Sequence, residues 1–157
     1  MSRVSVEIAL RWADMDAYGH VNNVNQVRLM EEARVAAFGV PGGTGEPVGR
    51  PGKVDLFENV GDHILILVVD HSISYVAQLP YRDVPVRIQV WIDQVKGASF
   101  RVNYEFFDGH TGELTTRATT TLALFDERTQ RLVRLPAEHR AAFKAYADDA
   151  ESEEGAA

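Results

Sequence analysis

The chain has 157 residues, 45% hydrophobic and 25% charged, which is room for one globular domain with a real core and too little for two. Its formal net charge of -7 argues against sequence-independent nucleic-acid binding, which runs on Lys and Arg neutralising phosphates. The absence of cysteine removes disulfides, thiolate metal sites and a cysteine nucleophile together.

The opening "MSRVSVEIAL" lacks both the charged start and the unbroken apolar run of a secretory signal. The longest apolar run, Ile64 to Val69, is too short to span a bilayer. A cytoplasmic protein with no membrane partner is therefore expected. From Val4 to Trp12, Val4, Val6, Ile8, Leu10 and Trp12 alternate with more polar neighbours, the pattern of a half-buried strand. A loop follows from Ala13 to about Val21. Asn22 or Asn23 is the candidate N-cap of a helix running to Phe38. Val27, Met30, Ala33 and Ala37 form its apolar face, and Arg28 with Glu32 and Glu31 with Arg34 can pair along its outside. Gly39 is the expected C-cap, with Pro41 shortly after.

Gly42 to Asp62 is rich in Gly and Pro. No Gly-Lys-Ser/Thr follows and no G-x-G-x-x-G opens a helix, so it reads as a flexible surface excursion rather than a phosphate loop. A short strand or helical turn is allowed near Val54 to Val60. Strands are then predicted over Ile64 to Leu79, Val86 to Asp93, Phe100 to Phe107 and Leu114 to Phe125. "VKGAS" and "FDGHTGE" supply hairpin-like turns between them. Trp91 and Phe107 fall at outward positions, which suggests a partner surface. A last helix is expected from about Ala137 to Ala147. Residues 1–147 thus form one domain, and the acidic residues 148–157 read as a frayed tail. Tight turns between consecutive strands imply an antiparallel sheet, and one long early helix can cover one of its faces. The fold class is α+β.

The remaining histidines, His63, His71, His110 and His139, are scattered without ligand spacing, so no metal site is expected. No G-x-S-x-G serine motif occurs.

The stretch "DMDAYGHVNNVNQVRLMEEAR" closely resembles the signature of the 4-hydroxybenzoyl-CoA thioesterase-like branch of the hotdog-fold acyl-CoA thioesterases. Asp14, Asp16, Gly19, His20, Val21, Asn22, Asn23, Asn25, Glu31, Ala33 and Arg34 stand in register with it. "HSISYVAQLPYRDVPVRIQVWI" looks like that family's second strand, with Tyr75 and Pro80 in place. The likeness runs from about Val4 to Asp126. It departs at Gln26, where the family usually has Tyr near the acyl pocket. The resemblance implies a hotdog fold, with a long central helix on an antiparallel sheet of about five or six strands. It further implies hydrolysis of an acyl-CoA, with coenzyme A entering only as part of the substrate and no other cofactor. A homodimer or homotetramer is implied as well, with active sites between protomers.

Thioester hydrolysis needs a polarised carbonyl and an activated water or nucleophile. A helix start offers unpaired N–H groups and the positive end of the macrodipole. By resemblance, the N–H near Asn23 stabilises the oxyanion, and Asp16 is the catalytic carboxylate, either as nucleophile or as general base. His20 either orients the substrate or is a satisfied turn histidine. Gly19, Val21, Asn22, Gln26 and Glu31 are the substrate-binding candidates, although for Glu31 a surface pair with Arg34 is the slightly preferred reading. Asp14 reads as structural. Arg82, Arg87, Lys96, Arg101 and Arg117 are candidates for the CoA phosphates. The rival reading is a non-catalytic hotdog module that binds an acyl ligand or only assembles with partners. A hotdog dehydratase is the weaker third, because its histidine-bearing helix pattern is not visible.

Overall fold

The computed structural model describes residues 3–40, 52–54, 56–57, 60–61 and 63–155, with side chains described to residue 147. Strand β1, Val4–Ile8, leads through a single 3-10 turn at Trp12–Asp14 into helix α1, Asn23–Phe38. Strands β2 (Ile64–Tyr75), β3 (Val86–Asp93), β4 (Ser99–Phe107), β5 (Leu114–Asp126) and the two-residue β6 (Arg131–Leu132) follow, and α2 (Ala137–Gly155) closes the chain. The strands form one antiparallel sheet in the order β1-β3-β4-β5-β2, with β6 paired to the end of β5.

Both early strands end sooner than their apolar patterns predict. The alternation of β1 would continue to Trp12. Instead the Arg11 N–H donates to the Asp14 carboxylate at 2.7 Å, which bends the chain and leaves Trp12 76% exposed. β2 stops at Tyr75 rather than Leu79. There the Val76 and Ala77 N–H groups both turn to the Thr115 carbonyl, at 2.9 and 3.0 Å, and the regular ladder ends.

Helix α1 begins and ends on the expected residues. Asn22 caps it, its side chain accepting from the Val24 N–H at 3.0 Å. Gly39 closes it at φ 77, a left-handed conformation that glycine adopts without a Cβ clash. The buried Leu29, Met30, Ala33, Ala37 and Phe38 pack on the sheet face carrying Ile88, Val90, Tyr104 and Ala118. Each large side chain buried this way contributes on the order of 1.5–3 kcal/mol relative to exposure.

The Gly- and Pro-rich segment lies largely outside the described residues. Where it is described, it is not a surface excursion. Leu56, Phe57 and Val60 are buried, and the Phe57 ring packs against Phe38, Phe100 and Phe143 at centroid distances of 5.2, 5.4 and 6.0 Å. Phe143 brings α2 onto the same cluster. That helix continues past Ala147 to Gly155, because Ala and Glu favour helix and no Pro or Gly intervenes.

The outward aromatics are not open either. The Arg3 guanidinium lies 3.8 Å from the Trp91 ring centroid, and Trp91 is only 8% exposed. Arg87 covers Phe107 at 4.3 Å. The chain's own cations therefore cap the rings expected to meet a partner. Among the described residues, no helix is long and apolar enough to cross a membrane.

Candidate active site

The joint between β1 and α1 is built on Asp14. This carboxylate is fully buried and accepts from the Arg11 N–H and the Arg11 guanidinium. Arg28, fourteen residues on, donates to both its oxygens at 2.8 Å. Burial alone would raise its pKa, but these hydrogen bonds outweigh burial and hold it below the usual carboxylate range. The Asp14 carbonyl also accepts the Asn22 N–H at 2.7 Å. Asp14 therefore fixes where the helix starts, the structural role expected of it.

Asp16 organises the next turn. Its Oδ1 accepts from the N–H groups of Tyr18 and His20, at 2.7 and 3.1 Å. Its own N–H donates to the His20 carbonyl at 2.7 Å. Gly19 completes the turn at φ 79, where an L side chain would be strained. The His20 N–H above all, then the Tyr18 N–H and the nearby His20 charge, lower the Asp16 pKa against a smaller opposing effect of burial. Asp16 is thus an anion at neutral pH, and hydrogen bonds from the described residues occupy only one of its two oxygens.

The turn is pinned to the chain beyond β2. The Val21 N–H donates to the Leu79 carbonyl at 2.8 Å, and the Tyr81 N–H to the Gly19 carbonyl at 2.9 Å. These bonds hold together the two walls of an open cavity of about 650 Å³, with residues 16–26 on one side and Tyr75 to Leu79 on the other. Asp16, His20, Val21, Asn22, Asn23 and Gln26 all border it. The Val24 N–H is taken by the side-chain oxygens of Asn22 and Asn23, at 3.0 and 2.9 Å. The Asn23 N–H meets no acceptor among the described residues. A free donor at the positive end of α1 and a carboxylate anion therefore share one cavity, an arrangement able to polarise a carbonyl and deliver a nucleophile or a base to it.

Other sequence candidates lie elsewhere. Gly19 shapes the turn but does not border this cavity. Glu31 sits farther along α1 with its side chain 71% exposed, 4.0 Å from Arg34. Arg34 is not a surface partner: it is buried and donates to the Tyr104 hydroxyl at 3.1 Å. None of the five proposed phosphate-binding cations borders the cavity. Arg82 pairs with Asp108 at 3.1 Å, Arg101 with Asp93 at 2.5 Å, and Arg117 lies 3.9 Å from Glu105. Among the described residues, no group of three acidic or histidine side chains is placed to hold a metal.

Two features escaped sequence reasoning. The wall from Tyr75 to Leu79 had a signal, since Tyr75 and Pro80 stood in the recognised second segment. Thr116, whose hydroxyl donates to Gln26 Oε1 at 2.6 Å, had none, being ninety residues away.

Solved structures of similar shape establish the fold. A structure described as a predicted thioesterase from Bacillus stearothermophilus superposes with a TM-score of 0.71 at 17% identity, covering 92% of this chain and 96% of that one. A DHNA-CoA thioesterase from Staphylococcus aureus gives 0.69 at 23% identity, covering 98% and 95%. A 12:0-ACP thioesterase from Umbellularia californica gives 0.70 at 20% identity, covering 93% of this chain but 54% of that longer one. The long helix laid on an antiparallel sheet is accordingly the hotdog fold. Comparison with curated proteins finds no match. The model of the thioesterase-like superfamily matches residues 10–143, a span that takes in the Asp14 anchor, the Asp16 turn, the helix start and both walls of the cavity. By that match over most of its length, the chain belongs to the thioesterase-like superfamily.

Proposed function

We propose that the protein is an acyl-CoA thioesterase, hydrolysing an acyl-CoA to the free acid and CoA. The observation that carries this reading is that Asp16 and Asn23, whose N–H meets no acceptor among the described residues, border one cavity. The thioester oxygen accepts from the Asn23 N–H, where the helix dipole, equivalent to roughly half a positive charge, favours a developing anion. Such a donor is worth about 10²–10³ in kcat. Asp16 either attacks the carbonyl carbon, giving an acyl-aspartyl anhydride that water cleaves, or takes a proton from a water that attacks directly. On both routes the C–S bond breaks, the acid is released, and the CoA thiolate leaves and is protonated. His20 lines the cavity beside Asp16, and Val21, Asn22 and Gln26 contact the acyl portion. The CoA nucleotide extends outside the cavity. A cytoplasmic location accompanies that substrate.

The same reading has two copies of the chain forming the working unit. β2 ends the sheet, and its outer side pairs with no described strand. It exposes Leu67, Val68 and Val69, an apolar edge that water does not suit. A second copy pairing edge to edge by a two-fold axis would cover it. That copy would also lie beside the Tyr75–Leu79 wall and so close the cavity.

The test is steady-state hydrolysis of an acyl-CoA panel with detection of the free thiol, for wild type and Asp16→Asn. Turnover that collapses in the variant supports the reading. A wild-type protein that binds acyl-CoA but hydrolyses none of the panel is a binding module instead.

A further inference from the structure

Gln26 is the fourth residue of α1 and only 4% exposed, yet it borders the cavity. Its Oε1 accepts from the Thr116 hydroxyl at 2.6 Å. Thr116 is itself wholly buried on β5, directly across from Tyr75 on the cavity wall. In this arrangement the amide turns its oxygen to the hydroxyl. Oxygen points to the sheet, and the Nε2 group keeps two N–H donors that meet no acceptor among the described residues. Buried polar groups are hydrogen-bonded as a rule. Water entering the cavity can satisfy these donors. A plain alkyl chain that displaced the water would strand them, whereas an acyl group bearing an oxygen would take its place.

We infer that Gln26 is a specificity-determining donor, and that the preferred acyl group carries a hydroxyl or carbonyl oxygen on its β or γ carbon. This rests on the thioesterase reading above. The position follows from the helix: Gln26 lies three residues beyond Asn23, a rise of about 4.5 Å along α1. With the thioester oxygen at the Asn23 N–H, the Gln26 amide falls beside the third or fourth carbon of the chain, its β or γ carbon. A site with fixed donors discriminates strongly against an analogue lacking the acceptor.

The experiment takes the best unsubstituted acyl-CoA of the panel and compares its kcat/KM with those of its 3-hydroxy, 3-oxo and 4-hydroxy counterparts. Wild type is expected to favour at least one oxygenated partner by about tenfold or more. Removing Gln26 alone would strand the Thr116 hydroxyl, so the informative variant is Gln26→Met with Thr116→Val. Replacing both partners by apolar groups of similar shape is close to neutral for folding. In it the ratio should fall to about one, whatever the variant's absolute rate on either thioester. Equal rates on both classes in wild type, or an unchanged ratio in the double variant, overturn the inference and leave the thioesterase reading standing. Failure to hydrolyse any CoA thioester overturns both.

Discussion

Arg28 Nη2 sits 2.8 Å from each carboxylate oxygen of the buried Asp14, so the first turns of α1 are tied to the loop that precedes it. Removing one member of such a pair leaves the other charge uncompensated, which costs far more than the pair itself contributes. Asp14→Asn is expected to destabilise the protein by about 2–4 kcal/mol, lowering Tm by roughly 5–15 °C. Adding Arg28→Met to Asp14→Asn should cost much less than Arg28→Met in wild type. Additive losses in a thermal-denaturation double-mutant cycle would show that the two side chains are not coupled.

Asp16 carries two separable duties. Its Oδ1 holds the turn through Tyr18 and His20, and the same carboxylate faces the cavity. Asparagine retains an acceptor oxygen for both N–H groups but cannot serve as a carboxylate. Asp16→Asn keeps the turn but loses the small stabilisation of the anion, so it should melt only slightly below wild type while kcat/KM falls by about 10²-fold or more. Asp16→Ala should lose activity and turn together, and melt lower. An Asp16→Asn enzyme of full activity would remove Asp16 from the chemistry.

The pH dependence follows from the same hydrogen bonds. Asp14, Asp16, Asp108 and Asp126 all titrate below their ordinary value of 3.8. For Asp14 and Asp108, burial works to raise the value, and donors from Arg11, Arg28 and Arg82 and from nearby N–H groups outweigh it. A depressed carboxylate contributes stability above its unfolded pKa and loses it as pH falls through the lower folded value. Tm should be nearly flat from about pH 8 to about pH 5 and drop steeply below about pH 4. The reacting form of Asp16 is the anion, so the acid limb of kcat/KM that it sets also lies below 3.8. An Asp16-dependent limb at pH 5 or above would contradict this.

What was readable in advance was local. Asn22 and Gly39 marked both ends of α1 because capping is a one-residue signal, and alternation located β3, β4 and β5 to within a residue or two. The joint from Asp14 to Gln26 was visible because its residues are contiguous. Features that depend on sheet register were not. Thr116 reaches Gln26 only because β5 pairs with β2 in a particular frame, and periodicity cannot show which strands pair. Arg28 was read as the helix partner of Glu32, and it does pair with it, but the anchor to Asp14 needs the 3-10 turn that no pattern signalled. Phe57 was lost among glycines and prolines, although three aromatic rings, one of them from α2, meet around it.

The unpaired edge of β2 gives the last prediction. Val69, 60% exposed near the middle of that edge, would lie within the seam of an antiparallel β2 pair. A lysine there places like charges against each other at the pairing edge, a device by which natural edges avoid association. Val69→Lys should leave the monomer's far-UV circular dichroism unchanged, since the residue packs little within its own chain. It should shift the mass seen by light scattering from two chains to one. With the partner gone, the wall from Tyr75 to Leu79 loses its outer support, so kcat/KM should fall by about tenfold or more through substrate positioning. A wild-type protein that is monomeric at micromolar concentration and fully active would mean that the cavity works unaided, and that the apolar edge has another occupant.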